Sequence, residues 1–179
     1  ISTYIDLLKI NGGKNRICYF SKVKNNLLSN QLLTKIHERK QFHYINFVKT
    51  NNVISLKPGV YRLIKELYPF EFIIASDDVQ FPKPNPLPYL KAMKLSGIKY
   101  NKSVVFEDSS QGLRSSLAAK LPTIYVPSNI PAVIDKDIDL NCFIDSLGNE
   151  SYKANVLKGP KLEGNYVDCD YLEKFLMTI

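Results

Sequence analysis

Residues 103–110 have the sequence SVVFEDSS, and this stretch decides the fold. Its apolar part, Val104–Phe106, predicts a buried strand, and the serines that follow predict the start of a helix. Glu107 and Asp108 stand at the carboxyl end of that strand, where ligands bind in an open α/β sheet. Two adjacent carboxylates are costly there without a cation, and Mg²⁺ prefers oxygen ligands and often bridges to phosphate. The stretch therefore indicates a metal and phosphate site, although helix capping by Asp108 or a serine explains these residues equally well when they are taken alone.

Strands and helices alternate on both sides of this stretch. Short apolar runs predict strands at Phe70–Ala75 and Thr123–Val126. Helical patterns cover 58–67, with Pro58 at the first helical position, 88–95, closed by Gly97, and 113–119. This alternation predicts an α/β fold with a parallel sheet and helices on both of its faces.

Residues 1–54 differ in character and predict a helical region. An apolar cluster ends at Asn11-Gly12-Gly13, a sequence typical of a helix stop and a tight turn. After Ser29, apolar residues recur at roughly helical spacing with Lys and Arg between them. We therefore expect a small helical domain over 1–54 and an α/β domain over 55–179.

Composition limits the functions that are open to the chain. Its 179 residues suffice for one domain or one domain plus a small lobe. The net charge of +7 fits anionic partners such as phosphorylated metabolites, nucleic acid or an RNA-containing assembly. The basic residues are scattered rather than clustered, so a nucleic-acid-binding arm is not predicted. A general bias toward Lys and Asn explains much of the charge.

The cysteines and histidines argue against several kinds of site. Cys18, Cys142 and Cys169 are far apart and form no CxxC pair, which predicts reduced thiols in a reducing compartment rather than zinc or disulfides. His37 and His43 share one Lys-rich helical stretch, so a histidine-based metal site or triad is not expected. No apolar run approaches the ~18 residues that span a bilayer, and no signal-peptide pattern is present. We therefore expect no membrane association, and the oligomeric state is left open.

Lys83 lies in a loop that prolines stiffen, FPKPNP at 81–86. Prolines fix the backbone and disfavour helix at the residues before them. A restrained ammonium near two carboxylates can hold a phosphoryl oxygen and an attacking group together. Taken alone, Lys83 is more simply explained as a solvent-exposed loop lysine.

Taken together, these motifs resemble the haloacid-dehalogenase-like hydrolases, and more closely their β-phosphoglucomutase and CbbY branch. The matching segments, in order, are PGVYRLI at 58–64, DDV at 77–79, KPNPLPYLKAMKLSGI at 83–98, VVFEDSSQGL at 104–113 and LPTIYV at 121–126. The helical part contains LLKINGGKNRI at 7–17, which is similar to the cap-domain signature of CbbY-type phosphatases. The resemblance implies a Rossmann-like core over 55–179 and a small helical cap over 1–54.

The resemblance also implies roles for particular residues. Lys83 would stabilise the phosphoryl group and the nucleophile, and Asp108, helped by Glu107, would hold Mg²⁺. Lys14 and Arg16 in the cap would hold a distal phosphate of the substrate, since guanidinium suits phosphate oxygens; an exposed turn beside Gly12-Gly13 is the alternative. The metal loop would be lined by Ser109, Ser110 and Gln111.

Two family motifs are missing from this sequence. The nucleophile of the family lies in an Asp-x-Asp-Gly motif, which the chain lacks, since Asp6 is followed by two leucines and Asp77-Asp78 belongs to the loop before Lys83. The second motif, a strand ending in Ser or Thr, should precede Phe70, where only Tyr68 and Pro69 stand. A strand–helix unit needs about 30 residues. The resemblance thus implies that the central strand and its neighbour are absent, which leaves backbone groups without partners.

One smaller departure concerns Lys120, which stands where the family has glycine at the end of a helix. Lys120 would then adopt the left-handed conformation at modest cost, or the turn would differ.

Three explanations account for the missing strands. The sequence joins pieces of a longer protein, which we favour and which predicts a spatial break near residues 65–71. Alternatively, the protein lacks these parts and has rebuilt its core. The third explanation is a degenerate member kept as a structural or binding subunit.

The resemblance implies a Mg²⁺-dependent sugar-phosphate phosphatase, or less readily a phosphomutase, that forms an aspartyl-phosphate. Its nucleophile would lie outside these residues. A pentulose bisphosphate such as xylulose 1,5-bisphosphate would be the substrate, and cyanobacterial-type cytoplasm or plastid stroma the setting. The competing hypothesis is a catalytically dead structural or binding subunit.

Overall fold

The computed structural model describes residues 2–8, 10, 12–51, 55–67, 70–128 and 138–179. They form two compact units, Ile1–Ser55 and Leu56–Ile179. No helix in the described ranges is both long and apolar enough to cross a membrane.

The first unit is helical, as its apolar spacing predicts. It contains α1 (Ser2–Leu8), α2 (Gly13–Val23) and α3 (Asn30–Asn51). Gly12 precedes α2 with a φ of +79°, a conformation that suits glycine. Leu33 is buried in α3, but most other apolar side chains of the predicted face are exposed, among them Leu32, Ile36, Tyr44 and Phe47.

The second unit alternates helices and short strands. Its helices are α4 (Val60–Glu66), α5 (Leu87–Ser96), α6 (Ser110–Ala118) and α7 (Cys169–Leu176), with 3₁₀ turns at Ser76–Asp78 and Tyr100–Lys102. Its strands are β1 (Val105–Glu107), β2 (Thr123–Tyr125), β3 (Cys142–Ile144) and β4 (Val156–Lys158).

The four strands form one sheet in the order β1-β2-β3-β4. Strands β1, β2 and β3 are parallel, with Val105 opposite Thr123 and Ile124 opposite Cys142, and β4 is antiparallel to β3. The α/β prediction is confirmed.

Helices pack on both faces of this sheet. Because successive side chains of a strand point to opposite faces, Val105 and Phe106 belong to different clusters. Val105 packs with Ala119 and Leu121 and with side chains of α5. Phe106 packs against the main core, to which α4 contributes Leu63 and α7 contributes Tyr171, Leu172 and Phe175.

The predicted strand at Phe70–Ala75 is wrong. These residues form no strand, and Phe70 and Ile73 are 68% and 88% exposed. A strand needs a neighbour to satisfy its backbone groups. In the described part of the chain Phe70–Ala75 pairs with none of the four strands, so its backbone groups have no partner in the sheet.

The prediction that Pro58 is the first residue of a helix is also wrong, because α4 begins at Val60. Gly59 separates them with a φ of +83°, and a Cβ on it would lie 2.1 Å from the Gly148 carbonyl oxygen. The backbone therefore turns tightly at Gly59 before the helix begins. The junction at residues 68–69, near which a spatial break is expected, lies outside the described residues.

Other local predictions are confirmed. Gly97 ends α5 in the left-handed conformation, with a φ of +65°. Lys120 adopts the same conformation with a φ of +58°, so the turn keeps the shape that glycine would give it. All three cysteines have free thiols.

Candidate active site

The junction between β1 and α6 presents two carboxylates. Glu107 is the last residue of β1 and is buried, whereas Asp108 follows it and is exposed. The Ser109 hydroxyl caps α6 by accepting a hydrogen bond of 3.1 Å from the amide of Gly112. Capping by a serine and presentation of the carboxylates therefore occur together at this junction.

The loop that carries Lys83 is tied at several points. The Asn85 amide donates to the Pro82 carbonyl at 3.1 Å, and the Asn85 side-chain oxygen accepts from the Leu87 amide at 3.0 Å. The buried hydroxyl of Ser115, in α6, donates to the Asn85 carbonyl at 2.6 Å. These bonds link the loop to α5 and α6, as expected for a restrained lysine.

Lys83 and Glu107 form an ion pair, with 2.5 Å between the ammonium and Oε1. Tyr89, in the first turn of α5, joins both groups. Its hydroxyl donates to Glu107 Oε1 and accepts from the Lys83 ammonium at 3.1 Å. The ammonium also lies 4.9 Å from the centre of the Tyr89 ring, within the range of a cation–π contact.

Lys83 and Tyr89 contact Oε1 of Glu107, whereas Gly112 lies next to its Oε2. A Cβ on Gly112 would lie 1.5 Å from Glu107 Oε2. The carboxylate therefore packs against the backbone of the first turn of α6, the end of the helix that carries partial positive charge. Only glycine permits this approach.

The two carboxylates shape the electrostatics of nearby phenols. Burial raises the pKa of Tyr89 above its ordinary value, and the hydrogen bond to Glu107 and the charges of Glu107 and Asp108 raise it further. Burial, and then the charge of Asp108, also raise the pKa of Tyr125. Tyr89 is therefore a protonated hydrogen-bond donor at neutral pH.

The residues at the end of β1 suit Mg²⁺ in kind but form only part of a ligand set. Asp108 is exposed and makes no hydrogen bond or ion pair with any described residue, while Oε1 of Glu107 is engaged by Lys83 and Tyr89. The described ranges contain no group of three or more His, Cys, Asp and Glu side chains arranged so that it could hold a metal ion. Protein Mg²⁺ sites commonly use one or two carboxylates together with water and phosphate oxygens, so Asp108 and Glu107 fit a shared site of this kind.

Lys14 and Arg16 lie in the first unit, on α2. The Lys14 ammonium donates to the Thr34 hydroxyl of α3 at 2.7 Å. The Nε atom of Arg16 is buried and has no hydrogen-bond partner among the described residues. Both predicted phosphate ligands thus lie near the amino end of the same helix.

Two further side chains, His37 and Lys40, lie close to that helix end. A Cβ on Gly13 would lie 3.0 Å from His37 Nδ1 and 3.2 Å from the Lys40 ammonium, both from α3. His37 Nδ1 is buried and lacks a hydrogen-bond partner among the described residues. Because the amino end of a helix is itself positive, this arrangement favours an anion.

Sequence reasoning did not identify Tyr89 and Gly112. The sequence does contain an indication of the role of Gly112. Glycine within a helix is unfavourable, so its presence indicates that another group lies close to the helix backbone there. The indication for Tyr89 is weaker. Its polar hydroxyl lies on the same face of α5 as Met93, which packs against the core. Their contacts with Glu107 depend on the three-dimensional packing of α5, β1 and α6.

The parallel sheet with helices on both faces is the kind of fold found in haloacid dehalogenase-like hydrolases. Residues 30–126 match the family model described as haloacid dehalogenase-like hydrolase. The match takes in more than half of the chain, and the chain therefore belongs to this family.

Within the family the chain is similar to CbbY proteins, among others. Protein CbbY of Rhodobacter capsulatus is 28% identical over 156 residues, covering 70% of this chain and 68% of that protein. A CBBY-like protein of Arabidopsis thaliana is 27% identical over 188 residues, covering 83% of this chain and 58% of that protein. A crystal structure of mutant CbbY from Rhodobacter sphaeroides with xylulose-(1,5)bisphosphate matches with a TM-score of 0.69 and 25% identity, covering 83% of this chain and 80% of that one.

These relatives have residues without counterparts in this chain. The matched part of this chain is 70% of 179 residues, about 125, while the match to the R. capsulatus protein runs over 156. The difference, about 31 residues, is close to the size of one strand–helix unit. The chain also spans only 58% to 68% of the length of the two CbbY-type relatives described above.

Proposed function

We propose that the whole protein is a Mg²⁺-dependent sugar-phosphate phosphatase of the CbbY type. It acts through an aspartyl-phosphate whose nucleophile lies outside these residues. The observation that carries this proposal is the Lys83–Glu107 ion pair beside the open Asp108 carboxylate at the end of β1. Sheet ends of this kind bind ligands, and the pair of charges suits a phosphoryl group and its counter-ion.

Each residue of the site has a part in this proposal. The Lys83 ammonium holds a phosphoryl oxygen and the attacking carboxylate, and Asp108, with Glu107, holds Mg²⁺. When bound, the metal neutralises negative charge on the phosphoryl oxygens. Ser109 fixes the start of α6, and Ser110 and Gln111 follow it along the rim of the metal loop.

The substrate is proposed to carry a second phosphate. Residues 1–54 act as a cap domain and residues 55–179 as the core domain, and Lys14 and Arg16 of the cap bind the distal phosphate. The convergence of His37 and Lys40 on the amino end of α2 supports an anion there. The similarity to a CbbY crystallised with xylulose bisphosphate supports a pentulose bisphosphate such as xylulose 1,5-bisphosphate.

A phosphatase is favoured over a phosphomutase because the similarities lie with CbbY proteins. The proposed setting is a reducing compartment, either a cyanobacterial-type cytoplasm or a plastid stroma. The three free thiols are consistent with it.

A second candidate function is that of a catalytically inactive binding subunit. It is supported by the missing Asp-x-Asp-Gly motif and by the net charge of +7. The intact mass of the native polypeptide distinguishes the two. A mass well above 20.4 kDa favours the enzyme, whereas 20.4 kDa together with no Mg²⁺-dependent phosphatase activity favours the subunit.

Substitution in the native polypeptide tests the site. We expect Lys83→Ala and Asp108→Ala each to lower turnover of xylulose 1,5-bisphosphate about a hundredfold or more, because each removes a charge that acts on the phosphoryl group. Lys94→Ala, at an exposed position of α5, is the matched control and should retain activity. Circular dichroism and urea unfolding check that the variants remain folded. Normal turnover in either site variant would refute the assignment.

A further inference from the structure

We propose that Tyr89 is a positioning residue that holds the Lys83 ammonium on Glu107 and thereby leaves Asp108 open. The contacts stand on the structure alone, and only their catalytic consequence rests on the proposed phosphatase function.

The three side chains contact one another. Lys83 contacts Glu107 Oε1 at 2.5 Å and the Tyr89 hydroxyl at 3.1 Å, and the same hydroxyl donates to Oε1. The aromatic ring adds a surface for the ammonium, 4.9 Å from its centre. Each member therefore restrains the other two.

Glu107 cannot take up another position easily. It is 6% exposed, and its Oε2 already lies against the backbone of Gly112, at the place that a Cβ would occupy. The carboxylate therefore has Lys83 and Tyr89 as its partners on the remaining side. A buried charge without such partners is costly, so this geometry is strongly favoured.

Lys83 is more exposed than Glu107. Its side chain is 42% exposed and has a flexible four-carbon stem. Asp108 follows Glu107 in the chain, is exposed, and offers the ammonium a competing carboxylate. The hydroxyl and ring of Tyr89 favour Glu107 over this competitor, which keeps the Asp108 oxygens available.

A purely structural role for Tyr89 is the alternative. Its ring packs against the cluster of Val105, Ala119 and Leu121, and such packing anchors α5 to the sheet. Phenylalanine would serve that purpose equally well. Tyr89→Phe therefore separates the two roles, because it keeps the ring and removes only the hydroxyl.

The first test is the rate at which Lys83 is acetylated by a small amine reagent, followed by peptide mass spectrometry. We expect Tyr89→Phe to raise that rate roughly fivefold, the factor for losing one hydrogen bond. Tyr100→Phe is the matched control, since Tyr100 is 45% exposed in a 3₁₀ turn and has none of these contacts. An unchanged Lys83 rate in a folded Tyr89→Phe protein overturns the proposal.

Cys142, which is fully buried, reports whether each variant is folded, because its thiol reacts only on unfolding. If Tyr89→Phe exposes Cys142, the acetylation rate of Lys83 is measured in Tyr89→Met instead. Methionine fills irregular apolar space and also lacks a hydroxyl.

The second test is kinetic and uses the native polypeptide with Mg²⁺ and xylulose 1,5-bisphosphate. Tyr89→Phe should lower kcat about tenfold, a loss typical of a misplaced catalytic group, with KM changed by less than about twofold. A raised KM with normal kcat overturns the positioning role. If the wild-type protein has no turnover, the proposed function fails, while the acetylation rate still decides the role of Tyr89.

Discussion

At the scale of single residues, Gly112 determines where the Glu107 carboxylate can lie. Glycine is unfavourable within a helix, yet here it stands in the first turn of α6 with Glu107 Oε2 at the place of a Cβ. The gain is a buried carboxylate that lies against the backbone of Gly112 and pairs with Lys83. A small local loss of helix stability thus permits the ion pair of the site.

Gly112→Ala tests this interpretation. The added methyl group must displace Glu107, because no Cβ fits 1.5 Å from a carboxylate oxygen. We expect the free energy of unfolding to fall by about 1–3 kcal/mol, the usual cost of overpacking, despite the better helix propensity of alanine. Urea unfolding measures the change.

Gly164→Ala is the control for this substitution. Nothing lies within 4 Å of a Cβ at Gly164, so this variant should unfold within ~0.5 kcal/mol of the wild type. Equal stabilities for the two variants would show that Glu107 moves away without cost.

At the scale of elements, local sequence signals succeed where a neighbouring strand is present. The apolar runs at β1 and β2 predict strands to within one residue, and Gly97 correctly predicts the end of α5. Phe70–Ala75 has an equally apolar pattern but forms no strand. The difference is the missing partner, which no local pattern reports.

The candidate site follows the same rule. Glu107, Asp108 and Lys83 could be predicted because their residue types and spacing are informative along the chain. Tyr89 and Gly112 could not, since their roles arise only when α5 and α6 meet at Glu107.

Helices α4 and α7 are joined by a polar contact centred on Arg62. Its guanidinium donates to Glu66 and to the Val167 carbonyl, and it stacks 4.1 Å from the centre of the Tyr166 ring. Glu66 also accepts from the Cys169 amide at 3.1 Å, at the start of α7. This contact fixes the amino end of α7, the helix that fills much of the main core.

The contact predicts a pH dependence of stability. Burial alone would raise the pKa of Glu66, but the hydrogen bonds from Cys169 and the charge of Arg62 outweigh it, so the folded-state pKa lies below the ordinary 4.5. Ionised Glu66 therefore stabilises the fold above pH 4.5, and this contribution is lost as the pH falls through the lower folded-state value.

We expect the stability difference between wild type and Glu66→Gln to be largest near neutral pH and to shrink below pH 4.5. Urea unfolding across the acid range measures it. Glu150→Gln, at an exposed site with no hydrogen bond or ion pair to described residues, should show no such trend. A stability difference between wild type and Glu66→Gln that increases as the pH falls would contradict the role of Glu66.

At the scale of the whole molecule, the open side of β1 is the main departure from a closed α/β sheet. In the described ranges β1 has one neighbour, and the R. capsulatus protein has about 31 residues more within the matched span. Unpaired strand edges readily pair with other chains. Exposed apolar side chains of the segment 70–75, notably Phe70 and Ile73, add to that tendency.

The 179-residue chain on its own should therefore self-associate. The charge of +7 opposes association through repulsion, so we expect the weight-average mass in sedimentation experiments to rise with protein concentration and with salt, which screens charge. Ile73→Lys should shift association to higher concentration, because it places a charge at a position that is 88% exposed.

Leu27→Lys, at a similarly exposed site of the helical unit, is the control for added charge. A monomer under all conditions would show that the side of β1 is already protected, and equal effects of the two substitutions would assign the association to net charge rather than to this edge.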